Sequence, residues 1–219
     1  MIQLENVSKI YRTNGGEVCA LDDVSLGVEE GQYVAVRGPS GCGKSTLLTL
    51  VGTLGTPTLG RISVAGSDIG AMTASSRARF RASQIGFVFQ TFHLLPYLTV
   101  VENVMAAAVP DQVADAKQRA GEILEKFQMG HRLGHRPGQL STGECQRVAI
   151  ARAMINHPKL ILADEPTGNL DPANAKEVLD LLGLFHQDGG TILLVTHEEE
   201  AAGRAERTIF LERGRILSG

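Results

Sequence analysis

Gly38-Pro39-Ser40-Gly41-Cys42-Gly43-Lys44-Ser45 decides the reading of this chain. The stretch fits G-x-x-x-x-G-K-[ST], the pattern of a phosphate-binding loop. Gln32 to Arg37 reads as a strand entering it, and Lys44 to Val51 as a helix leaving it. The glycines let the backbone curl so that successive N–H groups point at phosphate oxygens. The helix N-terminus adds favourable dipole charge. Lys44 is expected between the β- and γ-phosphates of a nucleoside triphosphate, with the Ser45 hydroxyl on Mg²⁺. The bland alternative is a Gly-rich turn that matches by chance, and the order strand, loop, helix weighs against it.

Bulk properties bound the rest. At 219 residues the chain is long enough for one domain with a real core. Its net charge of −3 does not suggest wholesale binding to nucleic acid or to anionic lipid. The start, Met1 to Val7, alternates apolar and polar residues like a strand and lacks the basic and apolar regions of a signal peptide. No apolar stretch is long enough to cross a bilayer. Three cysteines, Cys19, Cys42 and Cys145, show no metal-ligand spacing and suit a reducing cytosol. Cys42 lies inside the anion-binding loop, where amide groups could favour its thiolate; the alternative is a small filler residue.

Strand-like segments run from Gln3 to Tyr11, Ala20 to Leu26 and Gln32 to Arg37, with turns at Gly15-Gly16 and Glu30-Gly31. These early strands read as antiparallel. After the phosphate loop, Ile85 to Phe89, Leu160 to Ala163 and Thr191 to Val195 are continuous apolar runs, suited to a parallel sheet covered on both faces. Between Thr91 and about Pro158 the pattern is mostly helical. Ala106 to Ala108 and Val113 to Phe127 carry strong helix formers. Ser141 to Ile155 shows an apolar face at Val148, Ile150, Ala151 and Met154. Thr208 to Ile216 reads as a hairpin turning at Arg213-Gly214.

A phosphate loop acting on a triphosphate needs a carboxylate for Mg²⁺ and one for the attacking water. Leu160 to Glu165 supplies a strand with Asp164 at its carboxyl end, where ligands sit in such sheets. Asp164 would join the Mg²⁺ shell, and Glu165 could take a proton from water in line with the γ-phosphate. Taken alone, the two acids could equally be solvated charges at a strand end.

Leu140-Ser141-Thr142-Gly143-Glu144 followed by Cys145 to Ala153 resembles the signature motif of ATP-binding cassette (ABC) ATPases. Ser141 and Gly143 open a helix whose N-terminal amides can meet a γ-phosphate. An ordinary N-cap, Ser141 with Glu144 at capping-box spacing, is the plainer reading, and both can hold. The resemblance runs through the chain. It implies a P-loop α/β ATPase core with an N-terminal antiparallel β subdomain and an inserted helical subdomain. That would be one ABC ATPase domain over 1–219, with its core at 1–90 and 159–219 and the helical part at about 91–158. It implies ATP and Mg²⁺ as ligands and makes Gly38, Pro39, Ser40, Gly41, Cys42, Gly43, Lys44, Ser45 and Thr46 the nucleotide cradle. Tyr11 matches the aromatic that stacks on adenine, although alone it would read as a half-buried strand tyrosine. Gln90 matches the loop glutamine that contacts Mg²⁺ and water and senses the membrane partner. Asp171, in Asn169-Leu170-Asp171, matches the loop that crosses a dimer interface. His197 matches the switch histidine, although a lone His after a strand is more often structural. In that scheme Glu165, His197, Gln90 and Lys44 are catalytic, and Ser45, Gln90 and Asp164 hold the metal. Ser141 and Gly143 complete ATP held by a second subunit.

Thr142 and Glu144 stand where the family usually has Gly and Gln. Thr142 limits backbone freedom, and Glu144, if it faced the nucleotide, would weaken the closed site. Gly86 to Pro96 and Asp164 to Asp171 are similar to the lipoprotein-release, macrolide-export and cell-division cassettes. The resemblance implies a homodimer when ATP is bound, integral membrane permease subunits as partners, no nucleic acid, and a peripheral place on the cytoplasmic face of a bacterial inner membrane. Phe92 to Tyr97 is consistent with a docking surface for the permease, or with core of the helical insertion. The competing functions are an ATP-dependent dimerising scaffold of the cell-division kind and a soluble ABC ATPase of repair or translation.

Overall fold

The computed structural model describes residues 1–13, 16–110 and 113–218. β1 (Ile2–Thr13) and β2 (Gly16–Val28) pair antiparallel, Leu4 opposite Leu26. With β4 (Leu59–Val64) and β5 (Ser67–Asp68) they form a four-stranded antiparallel sheet in the order β2-β1-β4-β5. The second sheet joins β3 (Tyr33–Arg37), β6 (Ile85–Phe89), β7 (Leu160–Asp164), β8 (Thr191–Val195), β9 (Arg207–Glu212) and β10 (Arg215–Ser218) in the order β10-β9-β3-β8-β7-β6. All its pairings are parallel except β9 with β10, a hairpin turning at Arg213 and Gly214.

The apolar runs explain this sheet. Each residue from Leu160 to Ala163 and from Thr191 to Val195 is buried, so both faces of β7 and β8 are covered. Alternation sends their side chains into two cores. Leu160, Leu162, Leu193 and Val195 pack with Leu47 and Leu50 of α1 (Lys44–Val51) and with Ile2, Leu4 and Leu26 of the antiparallel sheet. Ile161, Ala163, Ile192 and Leu194 face the other way. They meet Val148 and Ile150 of α5 (Thr142–Met154), and Leu179 and Leu182 of α6 (Pro172–Gln187).

Several expectations need correction. β3 does not continue the antiparallel series: Val34 pairs parallel with Leu193 and with Arg207. Tyr33 to Val36 are all buried, which only a strand inside the covered sheet allows. Ala106 to Ala108 are not helical. α3 (Val100–Met105) ends with Ala106 as its cap. Asn156 then holds the departing chain, donating to Ala107 O at 2.7 Å and accepting from Val109 N at 3.1 Å. The next helix, α4 (Ala116–Lys126), starts three residues after Val113. Residues 91–99 and 127–141 hold turns and short 3₁₀ pieces at Gly130–Arg132 and Pro137–Gln139, so the middle block is less helical than its composition suggests. The turn expected at Gly15-Gly16 lies partly outside the described residues, because Gly15 is not among them. α2 (Ala74–Gln84) and the four-residue α7 (Glu199–Ala202) complete the set.

Leu193 lies fully buried on β8, the strand flanked by β3 and β7. Leu193→Ala should lower unfolding free energy by about 2–5 kcal/mol. Chemical denaturation with an unchanged slope would check this, and a loss under about 1 kcal/mol would contradict the packing described.

Candidate functional site

Parallel register gathers the candidate residues. Val36 of β3 stands beside Val195 of β8, Val195 beside Asp164 of β7, and Asp164 beside Phe89 of β6. The segments that follow these residues, beginning at Arg37, Thr196, Glu165 and Gln90, therefore leave one rim of the sheet.

The loop from Gly38 opens α1 through Gly43, whose φ of 111° favours glycine and whose added Cβ would stand 2.3 Å from Ala20 O. No side chain caps α1, and its first turn holds no acid. Its leading N–H groups therefore remain available to an anion. The loop is pinned from outside by Gly214 N donating to Cys42 O at 2.9 Å. Lys44 Nζ donates to Gly38 O at 2.7 Å and to Pro39 O at 3.0 Å. A cavity of about 310 Å³ opens here, lined by Val18, Cys19, Ala20, Ser40, Gly41, Gly43, Lys44, Ser45, Thr46, Asp164 and Glu165. Cys42 is buried in the core beneath the loop, which favours the filler reading. The exposed Cys19 lines the cavity instead, and nothing in its sequence neighbourhood marks it. Tyr11 is not in the lining. It sits on β1 opposite Val18, which is; the residue is 40% exposed, and Lys9 Nζ lies 5.1 Å from the ring centre.

Asp164 ends β7 and is hydrogen-bonded by Ser45. Burial pushes its carboxyl up from the ordinary range and the Glu165 charge adds to this, while Ser45 and Lys44 pull the other way. Ser45 and Asp164 are adjacent hard oxygen donors beside the anion cradle, a set that suits a hydrated Mg²⁺ sharing a phosphate. Among the described residues no group of three or more His, Cys, Asp or Glu side chains could hold a metal alone, so phosphate and water would supply its other ligands. Glu165 follows with φ of 47°, its N–H donating to Val195 O at 2.9 Å. Its Oε2 accepts from His197 N at 3.3 Å and pairs with His197 Nδ1 at 2.9 Å. That contact raises the His197 pKa above 6.5. Gln90 leaves the same rim but engages Asn169: Gln90 Nε2 donates to Asn169 Oδ1 at 3.4 Å, and Asn169 Nδ2 to Gln90 O at 3.2 Å.

The Ser141 segment sits apart. Ser141 caps α5, accepting from Glu144 N at 3.2 Å, and Ser141 N donates to Glu144 Oε2 at 2.7 Å. The other Glu144 oxygen accepts from Arg132 Nε at 2.9 Å. Burial pushes the Glu144 carboxyl up, but the Ser141 and Arg132 bonds outweigh it and hold the group below its usual range. Thr142 fits as the first helical residue because its backbone already follows the helix. Gly143 leaves the space that the Asn174 side chain fills: a Cβ there would stand 1.9 Å from Asn174 Oδ1, so a larger residue would have to displace that side chain. Asn174 is one of two residues whose N–H groups donate to the Asp171 cap of α6, each at 3.0 Å. None of Ser141, Gly143 and Asp171 lines the cavity at Lys44.

Four hydrogen bonds were not legible in the sequence. Gln146 is fully buried and donates to Phe89 O at 3.3 Å and Pro166 O at 2.7 Å, tying the end of β6 to the loop after β7. A glutamine on an otherwise apolar helix face was the available signal. Arg37 Nη2 donates to His197 O at 3.4 Å, and Thr167 Oγ1 to Glu198 Oε2 at 2.6 Å.

Comparison with known proteins agrees with this geometry. Residues 21–168 match the family described as ABC transporter. The chain is 43% identical over 99% of its length to the uncharacterized ABC transporter ATP-binding protein YvrO of Bacillus subtilis, covering 96% of it. It is 45% identical to MJ1508 of Methanocaldococcus jannaschii, another uncharacterized ABC transporter ATP-binding protein, covering 99% of this chain and 98% of that one. The macrolide export ATP-binding/permease protein MacB of Hyphomonas neptunium is 43% identical over all of this chain, which spans 34% of MacB. A solved dimeric structure of the cassette MJ0796 bound to ADP and Pi superposes with TM-score 0.90 at 37% identity, covering 100% of this chain and 97% of that one. The chain belongs to the ABC transporter family as an ATP-binding subunit, and ATP hydrolysis is the activity of that family.

The Glu165–His197 contact sets a pH dependence. A raised native pKa means that the contact contributes stability below the ordinary histidine value and loses it as pH rises through the raised one. In NMR titrations of the nucleotide-free protein, Glu165→Gln should bring the His197 midpoint down toward the ordinary value. Equal midpoints would show that the carboxylate does not act on the ring.

Proposed function

We propose that this chain is the ATP-hydrolysing engine of a membrane transporter. It would work as a homodimer on permease subunits in export or mechanical transmission, as the name MacB suggests for that relative. We read it as a single ABC ATPase unit over 1–219. The observation that carries this reading is the split site: the cradle at Gly38 to Thr46 and the capped helix start at Ser141 and Gly143 line no common cavity. Two copies facing each other would bring one cradle to the other's α5 start, closing ATP between them with Asp171 at the seam. The transporter relatives favour this over a scaffold or a repair protein.

The backbone amides from Gly41 to Ser45 would bind the phosphates, and Lys44 would exchange the Gly38 and Pro39 carbonyls for phosphate oxygens. Tyr11 would stack on adenine. Ser45, Asp164 and Gln90 would hold Mg²⁺, which when bound neutralises developing phosphate charge. Glu165 would accept the proton of the attacking water, with His197 orienting its carboxylate.

A groove of about 710 Å³ beside Gln90, lined by Phe87, Phe89, His93, Ala107, Arg81 and Arg152 among others, would receive the permease. Arg152 holds the neighbouring loop through Phe92 O and His93 O, and Leu95 and Tyr97 are exposed there, 38% and 67%. That exposure favours a docking surface over core. Among the described residues no helix is long and apolar enough to cross a membrane. Permease contact would then hold the chain at the cytoplasmic face of the inner membrane.

Glu165→Gln should lower ATP turnover by about 100-fold or more. ATP binding should persist, and a dimer should accumulate on size exclusion in the presence of ATP. Near-normal turnover in this variant would remove Glu165 from the role of base.

A further inference from the structure

Between the strand end at Asp164 and the cap of α6 the chain makes a tight loop, held from α5 by Gln146 at Pro166 O and attached outward on two further sides. Gly168 N donates to Glu165 O at 3.1 Å and Leu170 N to Thr167 O at 2.9 Å, so the loop is closed on itself. On one side Asn169 exchanges two hydrogen bonds with Gln90, and a Cβ on Gly168 would stand 2.8 Å from Gln90 Nε2. On the other side Thr167, 1% exposed, donates its hydroxyl to Glu198 Oε2 at 2.6 Å. That is the length of a charge-assisted O–H···O⁻ bond.

Glu198 sits at the start of α7, yet its side chain makes no cap bond to that helix. Its carboxylate goes to Thr167 instead, and its N–H donates to Oγ1 of the fully buried Thr196 at 3.0 Å. Thr196 N in turn donates to Val36 O at 3.2 Å. His197 is thus held at both neighbours: Thr196 ties it to β3, and Glu198 ties it to the loop that begins at Glu165.

We propose that the Thr167–Glu198 hydrogen bond is a latch that keeps His197 in register with Glu165 and joins that pair to Gln90. Thr167 and Glu198 are then positioning residues for ATP hydrolysis, an inference that rests on the hydrolytic reading above. Glu165 carries a left-handed backbone, so its side-chain direction depends on how the following loop is anchored. Thr167 is two residues from Glu165 and two from Asn169. A displacement of Gln90 by a docked partner therefore reaches Thr167 through Asn169 and His197 through Glu198. The path alternates hydrogen bonds (Gln90 with Asn169, Thr167 with Glu198) with short covalent steps along the chain, and coupling energies decide whether it acts as one.

The test is a double-mutant cycle on the full chain, using Thr167→Val, Glu198→Ala and the pair, with Thr167→Ser as the conservative variant. Each single change breaks the same bond. Each should cut kcat by about 10-fold or more, a size typical of slight misplacement at a reacting centre. KM for ATP should stay within about 2-fold of the wild type, because the cradle is untouched. The pair should be no slower than the worse single variant. Thr167→Ser keeps the hydroxyl and should retain turnover. Multiplicative losses, a rise in KM at constant kcat, or a Thr167→Ser enzyme as slow as Thr167→Val would overturn the latch. Amide hydrogen exchange provides an arm that needs no turnover. Thr167→Val should speed exchange at His197 and Gly168 while leaving the β7 and β8 amides protected. An inactive wild type would sink the hydrolytic reading alone. Unchanged exchange at His197 and Gly168 would sink the latch whatever the turnover.

Discussion

In-register parallel pairing of β3, β8, β7 and β6 is the constraint on which the rest depends. Inner strands buried on both faces satisfy their backbone groups from their neighbours, and β6 pairs with β7 alone at the sheet edge, so the strand ends are aligned to within a residue. That alignment brings Ser45, Asp164, Glu165 and His197 together from segments far apart in the chain. It also explains how Glu165 tolerates a left-handed backbone, which costs about 1–2 kcal/mol for a residue with a Cβ. Its N–H still reaches Val195 O across the sheet, so the turn away from β7 begins while pairing is intact. The strain points the carboxylate along the rim toward His197.

A second constraint is close approach between α5 and α6. Gly143 leaves room for Asn174, and Asn174 is tied to the Asp171 cap. The start of α5 therefore packs against the start of α6 through the Asn174 side chain. The departures at Thr142 and Glu144 fit this packing without disturbing it. Both Glu144 oxygens are used inside the chain, one by the cap and one by Arg132. The extra negative charge is compensated locally, so it does not oppose an anion at the exposed N–H groups. Arg132 lies in a short 3₁₀ piece with no recognisable period, which is why the sequence exposed the anomaly and hid its answer.

What was legible followed from local physics. α1 runs from Lys44 to Val51 as read, because loop glycines and an apolar helix face mark both ends. β6 and β8 match their apolar runs, and β7 extends by one residue to include Asp164. β3 was readable as a strand but not as a parallel one, since its partners Leu193 and Arg207 are distant in sequence. α2 escaped because it buries no residue and carries Arg77, Arg79 and Arg81 among serines, leaving no apolar stripe to count. α6 escaped for a weaker reason: Asp171-Pro172 is a regular N-cap and first-turn pair. Contacts such as Thr167 with Glu198 join residues 31 apart and leave no spacing signature.

Hydrogen bonding within the rim shapes how a phosphate ligand would be received. Lys44 is bonded to loop carbonyls, Asp164 to Ser45, Glu165 to His197 and Gln90 to Asn169. Exchanging one such partner for a ligand atom yields only about 1 kcal/mol net, because a bond is lost for each bond made. The amides at the start of α1 are the exception, since no side chain caps them. Most binding energy should then come from those amides, while the side chains at the rim discriminate between states of the ligand. This division suits a cycle in which the nucleotide stays held while its γ-phosphate is transferred, because the groups that change partners are not the groups that anchor it.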